Sequence, residues 1–104
     1  MQALIQNNLT QIQMILQSLK IKRCYVFGSA AKGNFDDQSD IDLLLSFDDE
    51  LSAEEYTRNY FELHYQLRAL LHREIDIVTE RTLSNPYFIE EINRSKELIF
   101  KQYI

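Results

Sequence analysis

The sequence predicts an α/β (α+β) protein, a small mixed β-sheet flanked by helices in the order αβαβαβα. Three observations carry this prediction. Apolar residues recur at helical spacing between Gln2 and Leu19, and again after Ser52. Short strand-like runs separate the helical segments, and Asn85-Pro86 is typical of the start of a last helix. At 104 residues, the chain is expected to form one domain, residues 1–104.

The predicted helices differ in how strongly the sequence marks them. The first runs from Gln2 to Leu19, with leucine and isoleucine on one face and glutamine on the other. A short helix is expected over Ser29 to Lys32. The capping box Ser-Ala-Glu-Glu at Ser52 starts a long helix that ends near His72. The last helix opens at Asn85-Pro86 and is expected to pack through residues on both sides of an interruption at Ser95-Lys96: Ile89, Ile92 and Leu98 to Phe100.

Acidic residues lie inside two of the three predicted strands, which are Cys24 to Phe27, Asp40 to Ser46 and Glu74 to Val78. Alternation along the second strand puts Asp40, Asp42 and Leu44 on one face, and Ile41, Leu43 and Leu45 on the other. Asp76 repeats the pattern of an acid among β-branched residues. If the second and third strands are neighbours, Asp76 can lie beside Asp40 and Asp42.

Two carboxylates on one strand face repel each other, and a cation between them relieves the repulsion. Asp40 and Asp42 therefore indicate a divalent metal, and hard oxygen ligands favour Mg²⁺. The first strand runs into Gly28-Ser29, a tight turn where glycine lets the backbone come close to a ligand.

Composition narrows the class of protein. Hydrophobic residues make up 45% and charged residues 26%, which is ordinary for a globular protein. A net charge of −5 argues against a general nucleic-acid binder. The single cysteine, Cys24, fits a reducing compartment, and the chain opens with no basic-then-apolar leader and holds no long apolar run. The expected location is the cytoplasm.

Gly28-Ser29, followed after ten residues by Asp40-Ile41-Asp42, resembles the signature of the polymerase-beta-like nucleotidyltransferase superfamily. The short length is similar to that of its minimal nucleotidyltransferase (MNT) family, which includes antitoxins of the MntA type. That family usually has Gly-Ser-Arg-Ala-Arg-Gly before Ser-Asp-Ile-Asp-Leu. Here Ala30 and Lys32 replace the two arginines, which weakens the case for strong phosphate binding and leaves the acids untouched.

The resemblance implies a nucleotidyltransferase fold and Mg²⁺-dependent transfer of a nucleotide. Asp40, Asp42 and Asp76 would be both metal ligands and catalytic residues, holding one or two Mg²⁺ ions on the triphosphate. Nucleotide binding would fall to Gly28, Ser29, Lys32, Gly33 and Ser39. The resemblance further implies ATP as the nucleotide and a hydroxyl of a HEPN-family toxin, such as a tyrosine, as the acceptor. Neither a membrane nor direct nucleic-acid binding is expected, since the chain is acidic and holds no long apolar run.

Two other functions stay open. A binding-only antitoxin would mask its toxin with weak or lost catalysis, which the missing arginines favour and the complete acid set disfavours. A small-molecule nucleotidyltransferase would need a further substrate-binding domain, for which the chain has no room. A calcium loop is disfavoured because Leu43 to Leu45 follow the acids. His64 and His72 are not spaced as a zinc pair and are expected at the surface or an interface.

Overall fold

The structure, a computed structural model, describes residues 2–28, 31 and 40–102. In this part of the chain the elements follow one another in the order α1 (Ala3–Asn7), α2 (Leu9–Ser18), β1 (Ile21–Phe27), β2 (Ile41–Phe47), α3 (Ala53–Leu71), β3 (Ile75–Thr79), a 3₁₀ turn (Glu80–Thr82), α4 (Pro86–Ser95) and β4 (Glu97–Lys101). Of the predicted short helix Ser29 to Lys32, only Ala31 belongs to the described residues.

The described strands form one mixed sheet in the order β3-β2-β1-β4. β1 pairs antiparallel with both β2 and β4, whereas β2 and β3 run parallel. The mixed sheet is therefore confirmed, and so is the expected neighbourhood of the second and third strands. The parallel register sets Asp42 directly opposite Asp76.

Hydrophobic residues cover both faces of the sheet. On one face, the helices α1, α2 and α3 bury a large core together with alternate residues of β2, namely Ile41, Leu43 and Leu45. On the other face, Phe27 and Leu44 form a smaller cluster with Ile92 of α4. Because neighbouring strand residues point to opposite faces, Asp42 lies on the α4 side with Leu44. Helix α4 therefore contributes to the surroundings of Asp42.

The prediction of one continuous first helix was wrong. The structure breaks it at Asn8 into α1 and α2. The Asn8 side-chain amide donates to the carbonyl of Leu4 at 2.9 Å, and Asn8 has a φ of −115°. An asparagine side chain that binds nearby backbone competes with regular helix formation, which explains the break.

The prediction that Leu98 to Phe100 pack as part of the last helix was also wrong. Helix α4 ends at Ser95, and the chain then forms β4, which pairs with β1. β1 would otherwise present an unpaired edge, and a strand there satisfies its backbone groups. Ile99 reaches the large core from β4, at 4% exposure. The predicted order αβαβαβα therefore lacked a final strand.

The other boundaries are close to the prediction. Strands β1, β2 and β3 each lie within three residues of their expected bounds. Ser52 and Glu55 make both hydrogen bonds of the predicted capping box. Helix α3 ends at Leu71, where His72 takes a left-handed conformation. Among the described residues, no helix is both long and apolar enough to cross a membrane.

Candidate active site

Two carboxylates from neighbouring strands form the centre of the candidate site. Asp42 is the second residue of β2 and Asp76 the second residue of β3, and the parallel register makes them direct partners. Asp42 is half-buried and Asp76 is exposed. The alternation that buries Ile41 and Leu43 on one face brings both acids to the opposite face, where they meet.

The surroundings of Asp42 disfavour its negative charge and raise its pKa to about 6. The largest cause is burial, which removes water from the carboxylate. The charge of Asp76, a hydrogen bond between the two carboxyl groups and the charge of Asp40 act in the same direction. A raised pKa next to a second acid is typical of a functional site.

Asp40 lies just before β2 and is exposed. Its negative charge acts on Asp42 and helps to raise the pKa of that residue. Among the residues that the structure describes, however, there is no group of three acidic, histidine or cysteine side chains that could hold a metal ion. The preformed part of the site is therefore the Asp42–Asp76 pair. A three-carboxylate metal site that includes Asp40 stays a prediction.

Gly28 bounds the site from the end of β1. It has a backbone φ of +70°, which residues with a side chain rarely adopt. A Cβ built at this position would lie 2.7 Å from Oδ2 of Asp42. The Gly28 N–H donates to Oγ of Ser95 at 3.0 Å. Glycine suits position 28 because other residues adopt this φ only with strain, and because a Cβ there would force the end of the Asp42 side chain to turn away.

A cavity of about 340 Å³ joins these groups. It is lined by nine residues: Phe27, Gly28, Asp42, Asp76, Val78, Phe88, Glu91, Ile92 and Ser95. The sequence predicted Gly28, Asp42 and Asp76 as site residues. It did not predict most of the others, above all those of α4. The four α4 residues share one helical face because they follow the pattern i, i+3, i+4, i+7. That spacing was visible in the sequence, but which face of the sheet the helix covers was not.

Four predicted nucleotide-binding residues lie outside the described residues: Ser29, Lys32, Gly33 and Ser39. Their roles stay predictions.

The two histidines make contacts within the fold and lie outside the candidate site. His64 packs edge-on against Tyr60, with ring centroids 5.1 Å apart, and burial lowers its pKa. His72 forms the C-cap of α3.

The chemistry of the acid pair fits a hard divalent cation. Both donors are carboxylate oxygens, which Mg²⁺ prefers. Burial and the close approach of Asp76 raise the pKa of Asp42, and a cation bound between the two carboxylates would remove their repulsion. Asp42 and Asp76 thus offer donor atoms of the kind that a hard divalent metal takes.

Comparison with known proteins gives the family to which the chain belongs. The family model described as Polymerase beta, Nucleotidyltransferase matches residues 10–103. The chain belongs to this family. A relative from Methanocaldococcus jannaschii, named putative protein adenylyltransferase MJ1379, is 31% identical over 88 residues, which cover 85% of this chain and 84% of that protein. Family membership makes the chain a nucleotidyltransferase.

Solved structures show the same fold. A minimal nucleotidyltransferase, described as putative, has a TM-score of 0.70 and 29% identity, covering 89% of this chain and 90% of that one. A toxin–antitoxin crystallised with AMP-PNP has a TM-score of 0.71 at 24% identity, covering 91% and 74%. An MNT antitoxin in complex with the tri-AMPylated HEPN toxin of Shewanella oneidensis has a TM-score of 0.64 at 22% identity, covering 93% and 72%. This nucleotidyltransferase is thus of the minimal kind.

Proposed function

We propose that this nucleotidyltransferase transfers AMP from ATP to a hydroxyl group of a partner protein, with Mg²⁺ as cofactor. The observation that carries the proposal is the Asp42–Asp76 pair, held by parallel strands in a cavity that Gly28 closes on one side. Phosphoryl transfer needs little covalent chemistry from a protein, but it needs negatively charged ligands in fixed positions to hold the metal that neutralises the phosphates. This pair supplies them.

The chain's own residues have distinct roles in the proposed reaction. Asp42 and Asp76, joined by Asp40, would hold the metal, which when bound neutralises charge on the phosphates. Asp76 is exposed and can also orient the acceptor hydroxyl and take its proton. The acceptor oxygen forms a bond to the α-phosphorus of ATP, and the bond to pyrophosphate breaks. Gly28, Ser29, Lys32, Gly33 and Ser39 would bind the nucleotide.

The proposed partner is a HEPN-family toxin, which makes this chain an antitoxin. Two observations support it: relatives of this chain are named putative protein adenylyltransferases, and an MNT antitoxin of the same fold occurs in complex with an AMPylated HEPN toxin. The net charge of −5 suits a partner with a basic docking surface. A cytoplasmic location, where ATP is abundant, belongs to the same proposal.

Intact-mass spectrometry of the partner tests this function. The partner is incubated with ATP, Mg²⁺ and this protein, and we expect its mass to rise by one or more AMP groups. Asp42→Asn should abolish the adduct because it removes a charged metal ligand. Asp48→Asn is the matched control: it makes the same chemical change at the other end of β2, and an asparagine keeps the oxygen that accepts from the Glu50 N–H.

A second candidate function is masking of the toxin by binding alone. Ala30 and Lys32, in place of two family arginines, favour it because fewer fixed cations would face the phosphates. Neutralisation of the toxin without an adduct, equally strong with Asp42→Asn, would select this function. An adduct that is lost with Asp42→Asn and kept with Asp48→Asn would exclude it.

A further inference from the structure

Helix α4 makes a polar contact with the glycine at the end of β1. Ser95 is the last residue of α4, and its Oγ accepts the Gly28 N–H at 3.0 Å. The two residues are 67 positions apart in the chain, so this bond joins distant segments. Ser95 is half-buried and lines the same cavity as Asp42 and Asp76.

Gly28 in turn lies next to the Asp42 carboxylate of the acid pair. The position that a Cβ of Gly28 would occupy lies 2.7 Å from Oδ2 and 3.6 Å from Cγ of Asp42. The Asp42 carboxylate therefore lies in the space that a side chain at position 28 would occupy. The position of the Gly28 backbone thus bounds the space next to this carboxylate.

The rest of α4 does not fix Gly28 as directly. Ile92 anchors the helix through Phe27 and Leu44, and the Phe27 and Phe88 rings meet edge to face with centroids 6.2 Å apart. These apolar contacts hold the helix on the sheet but are not directional. Among the described residues, the Ser95 hydroxyl is the side chain that binds the Gly28 backbone.

We propose that Ser95 is a positioning residue of the nucleotidyltransferase site. It holds the Gly28 backbone so that the Asp42 carboxylate keeps one orientation next to Asp76. This inference rests on the proposed function, because its consequence is weaker binding of Mg²⁺ and ATP when Ser95 is changed. Ser95 acts through Gly28 and need not contact the substrate.

The test uses the fact that the chain has only two glycines. Glycine-selective ¹⁵N labelling reduces the backbone amide spectrum to Gly28 and Gly33, and Gly33→Ala assigns the two resonances. Ser95→Ala and Ser95→Cys remove the strong acceptor, whereas Ser95→Thr keeps a hydroxyl. Ser84→Ala is the matched control, since Ser84 is exposed and lies just before α4.

We expect the Gly28 amide proton to move upfield in Ser95→Ala and Ser95→Cys, and to stay in place in Ser84→Ala. Affinity for ATP with Mg²⁺ should fall about tenfold in the first two variants, which corresponds to one hydrogen bond. Ser95→Thr should return it towards the wild-type value. A residue that only stabilised the fold would lower the melting temperature without this rescue pattern in affinity.

Other outcomes separate the inference from the proposed function. If the Gly28 resonance does not shift in Ser95→Ala, or if it shifts while affinity stays unchanged, the positioning role is wrong and the proposed function stands. If the wild-type protein itself does not bind ATP with Mg²⁺, the proposed function fails and the inference falls with it.

Discussion

Asp42 has two properties that disfavour its negative charge: it is half-buried, and a second carboxyl group faces it across the strand pair. Both raise its pKa, to about 6. In a protein without bound metal, this environment destabilises the folded state whenever Asp42 is ionised.

Asp42→Asn should therefore stabilise the metal-free protein in a pH-dependent way. The folded pKa of about 6 lies above the ordinary value of 3.8, so ionised Asp42 opposes folding fully above pH 6 and not at all below the ordinary value. With allowance for solvent screening, we expect the melting temperature to rise by about 5 °C at pH 7.5. The gain should decline as the pH falls from 6 towards 4.

Thermal unfolding in the presence of a chelator measures this effect. Asp48→Asn again serves as the control, and its melting temperature should change little. A gain for Asp42→Asn that is the same at pH 4 and pH 7.5 would contradict the electrostatic origin.

Gly28→Ala should destabilise the protein by about 2 kcal/mol. A left-handed φ is strained for any residue that has a Cβ, and a Cβ at this position would contact Oδ2 of Asp42. In an Asp42→Ala background the contact is absent and only the backbone strain remains, so the loss should be smaller, at about 1 kcal/mol. Urea unfolding of the four proteins of this double-mutant cycle measures the difference. Equal losses in both backgrounds would mean that Asp42 does not fill this space.

At the scale of elements, a short apolar segment does not by its sequence alone distinguish a helix from a strand. Glu97–Lys101 contains three apolar residues in a row, which fit a helix as well as a strand. The pairing with β1 decides for the strand, and this pairing joins residues far apart in the chain. Local signals were sufficient where they were chemically specific, as at the start of α3.

Ser52→Ala tests one such local signal. The Ser52 Oγ accepts the Glu55 N–H at 3.1 Å, and the Glu55 carboxylate accepts the Ser52 N–H at 3.3 Å. Loss of the serine oxygen should destabilise the protein by about 1 kcal/mol, which lowers the melting temperature by about 5 °C. Ser84→Ala, outside any helix, should change it by less than half as much. Equal effects in calorimetry would show that the cap contributes nothing specific.

At the scale of the whole molecule, one large core joins nearly all the described elements. It includes residues of α1, α2, α3 and each strand, among them Ile5, Leu16, Leu45, Leu67 and Ile99. Helix α4 packs on the other face through Ile92. Because β1 and β2 contribute to both clusters, loss of one cluster should expose the other.

We therefore expect a single cooperative unfolding transition, which also tests the prediction that residues 1–104 form one domain. The calorimetric and van't Hoff enthalpies should agree within error, and circular dichroism in the far and near ultraviolet should report the same midpoint. Two separate transitions, with α4 lost first, would contradict both the single domain and the coupling of the two faces.

The sequence by itself determined the starts of α3 and α4, three strands, the turn at Gly28 and the acids inside strands. These features follow from neighbouring residues, because strand side chains alternate between faces with a period of two and helix caps depend on residues three positions apart. Tertiary structure alone decided the register of Asp42 with Asp76, the strand β4, the face covered by α4 and the contact of Ser95 with Gly28. Each of these depends on how both faces and edges of the sheet are buried, which no local stretch of sequence specifies.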